Sequence, residues 1–297
     1  MSYLSGLSAF TLTPFSSTGV VDVDHLQKLV ARLAATDIDS IGVLGSTGSY
    51  MYLSRAQRAR AIKAAVEASA DIPILAGIGD LRTDYILEHA ANAEKAGASA
   101  LLLAPVSYLP LTERDFIELV NTITSSTTLP ICLYNNPGTT HFTMTAELVA
   151  SLASLPTVKA VKNPAPTTSM PANSLTEMRV DLPDGFILGY SGDANIRHVL
   201  HAGADAWYSV IAGTLPELAL KIWASRTTPD RLGLLHSQCT PLWECFNTWG
   251  GIRVVPEISR MLGLGSCDLA LPLQPLEHDA VVKIEHALQE LTTHKLI

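Results

Sequence analysis

The stretch ILAGIGDLRTDYILEHAANAEKAGASALLLA, residues 74–104, holds one full structural period of this chain. Residues 74–78 form a short β-prone apolar run, bounded by glycine and aspartate and too short to be a helix. Thr83 then opens a segment that reaches Lys95, and Gly97 follows as a helix stop that tolerates a left-handed backbone. A second apolar run occupies residues 100–104. Strand, loop, helix and return strand make a β-α-β unit.

The same rhythm extends in both directions. Runs at residues 7–11, 40–44, 131–134, 158–162, 186–190 and 206–210 bring the total to eight, with starts spaced roughly 20–35 residues apart as such units require. Between them, Ser54 with Gln57 makes a capping-box pattern ahead of an alanine-rich segment ending near Ser69, and Thr112 opens a segment running to about Ser125. Eight units predict an α/β fold, a closed (β/α)8 TIM barrel; an open doubly wound parallel sheet is the competing arrangement. Beyond about residue 216 the β signal ends. Residues 218–224, 230–246, 252–262 and 281–291 read as helical, with Pro241 and Pro256 as expected kinks or breaks. The expected division is a barrel over residues 1–224 and a C-terminal helical appendage over 225–297 packed on it.

Composition narrows the function. The 297 residues are 47% hydrophobic and 16% charged, too apolar for a disordered chain. Uncharged stretches are interrupted by Pro, Gly, Asn or Thr before a membrane-spanning length accumulates. A formal charge of −8 argues against nucleic acid or anionic lipid as a partner. An anionic substrate therefore needs local donors. Cys132, Cys239, Cys245 and Cys267 form no CxxC pair, and residues 1–15 lack the basic start of a secretory leader, so a cytoplasmic setting with reduced thiols is expected. His198 and His201, three apart near Asp193, find no third partner at ligand spacing, and no metal is expected.

Reactive groups of such a barrel sit where strands end. The second run leads into Gly45-Ser46-Thr47-Gly48-Ser49, whose glycines allow a tight turn with exposed N–H groups and two hydroxyls. No GK[ST] follows, so it is not a P-loop. The fifth run ends at Tyr134, a phenol that can shuttle protons. The sixth reads Val158-Lys159-Ala160-Val161-Lys162. Alternation puts Val158, Ala160 and Lys162 on one side and Lys159 on the other. An inward Lys162 among apolar neighbours loses its charge readily and becomes the neutral amine that attacks a carbonyl.

Gly45-Ser46-Thr47-Gly48, Tyr134-Asn135-x-Pro137 and Lys162 resemble the dihydrodipicolinate synthase / N-acetylneuraminate lyase family in order and spacing, as do Thr13-Pro14-Phe15, Gly189-Tyr190-Ser191-Gly192-Asp193 and Gly203 to Ser209. The resemblance covers about residues 4–265. It implies a class I aldolase or lyase acting on pyruvate or another 2-keto acid, most like dihydrodipicolinate synthase. By position Lys162 would form the Schiff base, with no cofactor beyond that covalent imine. Tyr134 would relay protons, and Ser46 and Thr47 would offer N–H groups to the pyruvate carboxylate and hydroxyls to the relay. Tyr208, through its backbone carbonyl, and Thr139 would touch substrate, and the tyrosine that crosses a dimer interface in many members falls on Ser107 or Tyr108. The implied partners are a small 2-keto acid and an aldehyde, with no nucleic acid or membrane, in a homo-oligomer such as a dimer or tetramer. Tyr50, Met51, Arg55, Leu81, Tyr85 and Val106 fall at positions of a feedback pocket for lysine; they are mostly bulky or apolar where polar groups would be needed, and no feedback inhibition by lysine is expected.

The chain also departs from the family. Thr139 stands where the synthases carry the Arg that holds the aldehyde's carboxylate, leaving Arg82 and His141 as candidate replacements. Ser49 and Asn163 replace two glutamates. These changes keep open an N-acetylneuraminate or 2-keto-3-deoxy sugar acid aldolase or dehydratase, and a catalytically weak barrel that binds a 2-keto acid.

Overall fold

In the computed structural model, which describes residues 3–16, 18–170 and 174–297, the eight runs become parallel strands. They are β1 (Gly6–Phe10), β2 (Ser40–Val43), β3 (Ile74–Gly77), β4 (Ala100–Leu103), β5 (Ile131–Tyr134), β6 (Val158–Pro164), β7 (Ile187–Ser191) and β8 (Ala206–Ser209). Each pairs with the next, and β1 pairs with β8, so the sheet closes and the open-sheet alternative is excluded. Helices α1 (Val23–Ala34), α2 (Arg55–Ala68), α3 (Thr83–Ala96), α4 (Glu113–Thr124), α5 (Pro137–Thr140), α6 (Ala146–Ala153), α7 (Ser174–Arg179), α8 (Arg197–Leu200) and α9 (Pro216–Ala224) fill the connections.

The local signals act as expected. Ser54 caps α2 by accepting from the Gln57 amide. The Gln57 side chain does not complete a capping box but accepts from the Val21 amide at 2.9 Å, tying α2 to the segment before α1. Thr112 and Asp115 form the complete reciprocal box on α4. Gly97 ends α3 at φ 92°, in the region a glycine enters without steric cost.

Two apolar layers result. One cluster, including Leu75, Leu102, Cys132, Ala160 and Tyr208, fills the barrel interior; the larger one lies between strands and helices. The strict alternation expected for β6 is corrected here. The register slips between Ile131 and Cys132, so that Ile131 faces Val158 but Cys132 faces Ala160. One extra residue is thereby inserted, which turns Val158 to the helix layer and leaves Lys159 exposed, while Ala160 and Lys162 remain inward.

A buried ion cluster braces the end of β3. The Arg58 guanidinium, from α2, donates to the carbonyls of Gly77 and Gly79 and to Asp80, each at 3.1 Å. His89 of α3 lies 2.9 Å from the same Asp80 oxygen. Burial and the adjacent Arg58 charge lower the His89 pKa, so a neutral ring donates to the carboxylate.

The C-terminal part forms α10 (Pro229–Gln238), α11 (Thr240–Trp249), α12 (Gly251–Met261) and α13 (His278–Thr293). The helical stretch expected over 230–246, with a kink or break at Pro241, is two helices parted at Cys239, and Pro241 lies in the first turn of the second. A proline is tolerated there because its missing N–H has no helical partner anyway. Pro256, by contrast, is buried inside α12 without ending it.

Candidate active site

Lys162 and Tyr134 stand side by side because β5 and β6 pair them directly. The strand tops are locked: the Asn135 amide donates to the Lys162 carbonyl at 3.0 Å, and its side chain donates to Asn163 at 2.9 Å and to the Met144 carbonyl at 3.2 Å. Asn163, where the family has a glutamate, therefore has a structural partner.

The Lys162 side chain is 2% exposed, and its ammonium nitrogen touches aromatic faces. Nζ lies 3.6 Å from the Phe10 ring centroid, 4.3 Å from that of Tyr134 and 5.8 Å from that of Tyr208. No carboxylate among the described residues comes within ion-pair distance of it. Burial pulls its pKa from 10.5 down to about 7, with the Cys132 and Asp193 charges opposing weakly. The ring faces favour the ammonium, so they also oppose, but desolvation of a fully enclosed amine is the larger effect.

Phe10 was not singled out from the sequence, although a signal existed in the two glycines facing it. A Cβ on Gly42 would lie 2.6 Å from the ring, and one on Gly45 2.8 Å. Likewise Gly189 leaves room for Tyr208, whose ring would stand 2.2 Å from an added Cβ.

Against the Tyr134 hydroxyl lies the turn after β2. Leu44 and Ser49 adopt φ of 57° and 55°, a left-handed conformation that costs side-chain-bearing residues on the order of 1–3 kcal/mol each. The carbonyl of Leu44 comes so close to Gly77 that a Cβ there would sit 1.9 Å away. Within this turn the Ser49 amide donates to the Ser46 carbonyl at 3.1 Å, whereas the Ser46, Thr47 and Gly48 amides have no acceptor among the described residues. Free N–H groups in succession on a strained turn make an anion cradle. Ser46 Oγ lies 3.5 Å from the Tyr134 hydroxyl, at the outer limit of a hydrogen bond. Burial raises the Tyr134 pKa, keeping the phenol protonated and able both to donate and to accept.

The turn forms the floor of a cavity of about 530 Å³ at the carboxyl ends of the strands. Ser46, Thr47 and Thr139 line it; Lys162 and Tyr134 stand behind this lining, connected to it by the Tyr134 hydroxyl, which lies 3.5 Å from Ser46 Oγ, and by the Tyr134 ring, 4.3 Å from Lys162 Nζ. The far wall comes from the C-terminal helices, through Phe246, Asn247, Gly251 and Ile252. A Cβ at Gly251 would meet Thr47 Oγ1 at 3.6 Å, so α12 begins at van der Waals contact with the turn. None of these four residues was singled out from the sequence. Asp193 secures the β7 and β8 ends by accepting from Trp207 Nε1 at 2.8 Å and from the amides of Val210 and Ile211 at 3.1 and 2.7 Å.

The Tyr208 hydroxyl donates to the Leu4 carbonyl at 2.8 Å, at the opposite end of the barrel interior, which leaves only its backbone carbonyl for the expected contact. Tyr108 is 90% exposed and lines a neighbouring groove, whereas Ser107 is on the cavity wall. Neither candidate replacement cation serves. Arg82 is bound by Asp84 through two bonds of 2.9 and 2.7 Å, and both Arg82 and His141 lie off the cavity lining. Tyr50, Met51 and Val106, expected in a separate lysine pocket, line this same cavity.

The sequence model of the Dihydrodipicolinate synthetase family matches residues 3–291. Curated relatives include the 4-hydroxy-tetrahydrodipicolinate synthases of Haloarcula marismortui, 28% identical over 96% of this chain and 92% of the relative, and of Chlorobium phaeobacteroides, 29% identical over 95% and 96%. The crystal structure of dihydrodipicolinate synthase from Agrobacterium tumefaciens superposes with a TM-score of 0.94 at 42% identity, covering 97% of this chain and 98% of that one.

Proposed function

The chain belongs to the dihydrodipicolinate synthetase family, and from that premise we propose that Lys162 is the amine that captures pyruvate in a Schiff-base, synthase-like lyase reaction. The family's chemistry runs through a lysine imine and draws on no external cofactor. The observation that carries the assignment is Lys162 itself: a buried amine without a counter-ion, brought to a pKa of about 7, beside a protonated phenol that abuts a turn with free amides.

The sequence of steps follows from that placement. The pyruvate carboxylate sits on the Ser46 and Thr47 amides, which aims the ketone at the amine. Neutral Lys162 adds to the ketone carbon, and the carbinolamine hydroxyl leaves as water with a proton delivered through Tyr134. The protonated imine then acts as an electron sink. Loss of a methyl proton gives an enamine, whose terminal carbon forms the new C–C bond to an aldehyde carbon; the alkoxide takes its proton back through the Tyr134–Ser46 pair. Hydrolysis or transimination frees the lysine. Reading the steps in reverse describes cleavage.

The reading extends to a homo-oligomer. Leu81, Tyr108 and Leu109, 57, 90 and 71% exposed, form an apolar edge beside the mouth, which sedimentation would register as a dimer or tetramer. No helix among the described residues is long and apolar enough to cross a membrane, and four unpaired thiols suit a reducing, cytoplasmic setting.

Incubation with pyruvate followed by borohydride reduction tests the assignment. The expected result is one pyruvate-derived mass increment, located on the Lys162 peptide. An adduct on Lys159 instead, or on no lysine, overturns it.

A further inference from the structure

The cavity lined by Ser46 and Thr47 offers only neutral hydrogen-bond donors. Its lining contains no Arg, Lys or His. The carboxylate it contains, Asp193, is buried and already holds three N–H donors. The nearest buried guanidinium, Arg58, is committed to two carbonyls and Asp80, and the Tyr50 ring lies over it at 5.2 Å. Tyr50 itself is kept protonated, its pKa raised by burial. The free amides of the β2 turn are taken by pyruvate in the reading above. What remains for a second substrate is apolar wall from Val106, Val210, Phe246, Ile252 and Leu273, edged by neutral polar groups of Tyr52, Ser107, Thr139, Asn195 and Asn247, the Thr140 hydroxyl being held by the Asn136 carbonyl.

We propose that the aldehyde joined to the pyruvyl-lysine is an uncharged one with an apolar body, rather than one bearing a second carboxylate. The inference rests on the assignment of Lys162. Its physical basis is desolvation. An anion moved from water to this space leaves its hydration shell and gains only neutral hydroxyl and amide donors, whereas an apolar body gains by burial against Phe246 and Ile252. Thr139 is the position at which a cation would reverse the balance, because its side chain lies on the wall of the same cavity. The bond-forming step is unchanged: enamine carbon to aldehyde carbon, with the alkoxide protonated in place.

Matched pairs of aldehydes test this with the full chain and pyruvate. Benzaldehyde is set against a ring-carboxylated benzaldehyde, and butanal against succinic semialdehyde, with aspartate semialdehyde as a further charged acceptor. Aldehyde-dependent consumption of pyruvate is followed, and the borohydride adduct is measured in the same samples. The neutral member of each pair should have the higher kcat/KM by roughly 10- to 100-fold. Thr139→Arg should narrow or invert that ratio by a similar factor. A charged aldehyde used as well as or better than its neutral partner overturns the proposal, and so does an adduct at Lys162 with no neutral aldehyde consumed. Absence of the adduct removes the assignment of Lys162, and the proposal falls with it.

Discussion

Replacing Lys162 by Met should destroy the reaction and strengthen the fold, and the pH dependence of that gain measures the property on which the mechanism depends. The ammonium of Lys162 is enclosed by Phe10, Tyr134 and Tyr208 with no carboxylate partner among the described residues. A lysine brought from 10.5 to about 7 by burial carries a folding cost on the order of 3–5 kcal/mol in its charged form. Below pH 7 both folded and unfolded chains hold the proton, and that cost is present in full. Between 7 and 10.5 the unfolded chain binds a proton that the folded chain has released, so stability rises with pH as the cost declines. Above 10.5 neither state is protonated and the cost is gone. Methionine has nearly the same length and reach without the charge, so the packing change is small. Urea unfolding of both proteins at about pH 6, 8 and 10 should show Lys162→Met more stable by on the order of 3–5 kcal/mol at the lowest pH, with the gap closing toward the highest. Equal stabilities at about pH 6, or a gap independent of pH, would mean the amine is solvated or paired, and its use as a neutral nucleophile would lose its basis.

Two further outcomes follow from the same geometry. The Phe10 ring, 3.6 Å from Nζ, favours the ammonium by about 0.5–2 kcal/mol. Phe10→Leu should therefore lower the pH midpoint for adduct formation, expected in the parent to follow the Lys162 pKa of about 7, by about 0.4–1.5 pH units; a shift to higher pH would mean that water fills the vacated space and that the ring acts as a plug. Tyr134→Phe removes the hydroxyl 3.5 Å from Ser46 Oγ and should slow turnover by about 10²- to 10⁴-fold while pyruvate is still trapped on Lys162. Unchanged turnover would take the phenol out of the relay.

The positions of the eight strands, the caps at Ser54 and Thr112, and the stop at Gly97 were legible in the sequence, because each depends on residues within a few positions along the chain. Lys162 was also legible as an inward residue, although the register slip beside Cys132 shows that alternation counted from Val158 held only from Ala160 onward. A kink or break at Pro241 was legible too, but not that it is a full separation of two helices at Cys239. A proline in the first turn of a new helix and one that interrupts a helix look alike until the hydrogen bonds before it are known.

Local pattern alone thus determined a barrel-forming rhythm, with an amine at the end of its sixth strand and a Ser-Thr turn at its second. Tertiary structure decided what surrounds that amine. Phe10 lies over it only because the sheet closes and glycines 42 and 45 vacate the space. Phe246 and Ile252 wall the cavity only because α11 and α12 fold back across a mouth built some 200 residues earlier in the chain. The same packing moved the Tyr208 hydroxyl to the far end of the interior and left Tyr108 outside. Such placements are set by contacts between distant segments competing for one volume, and residues separated by that much chain leave no local pattern that records them.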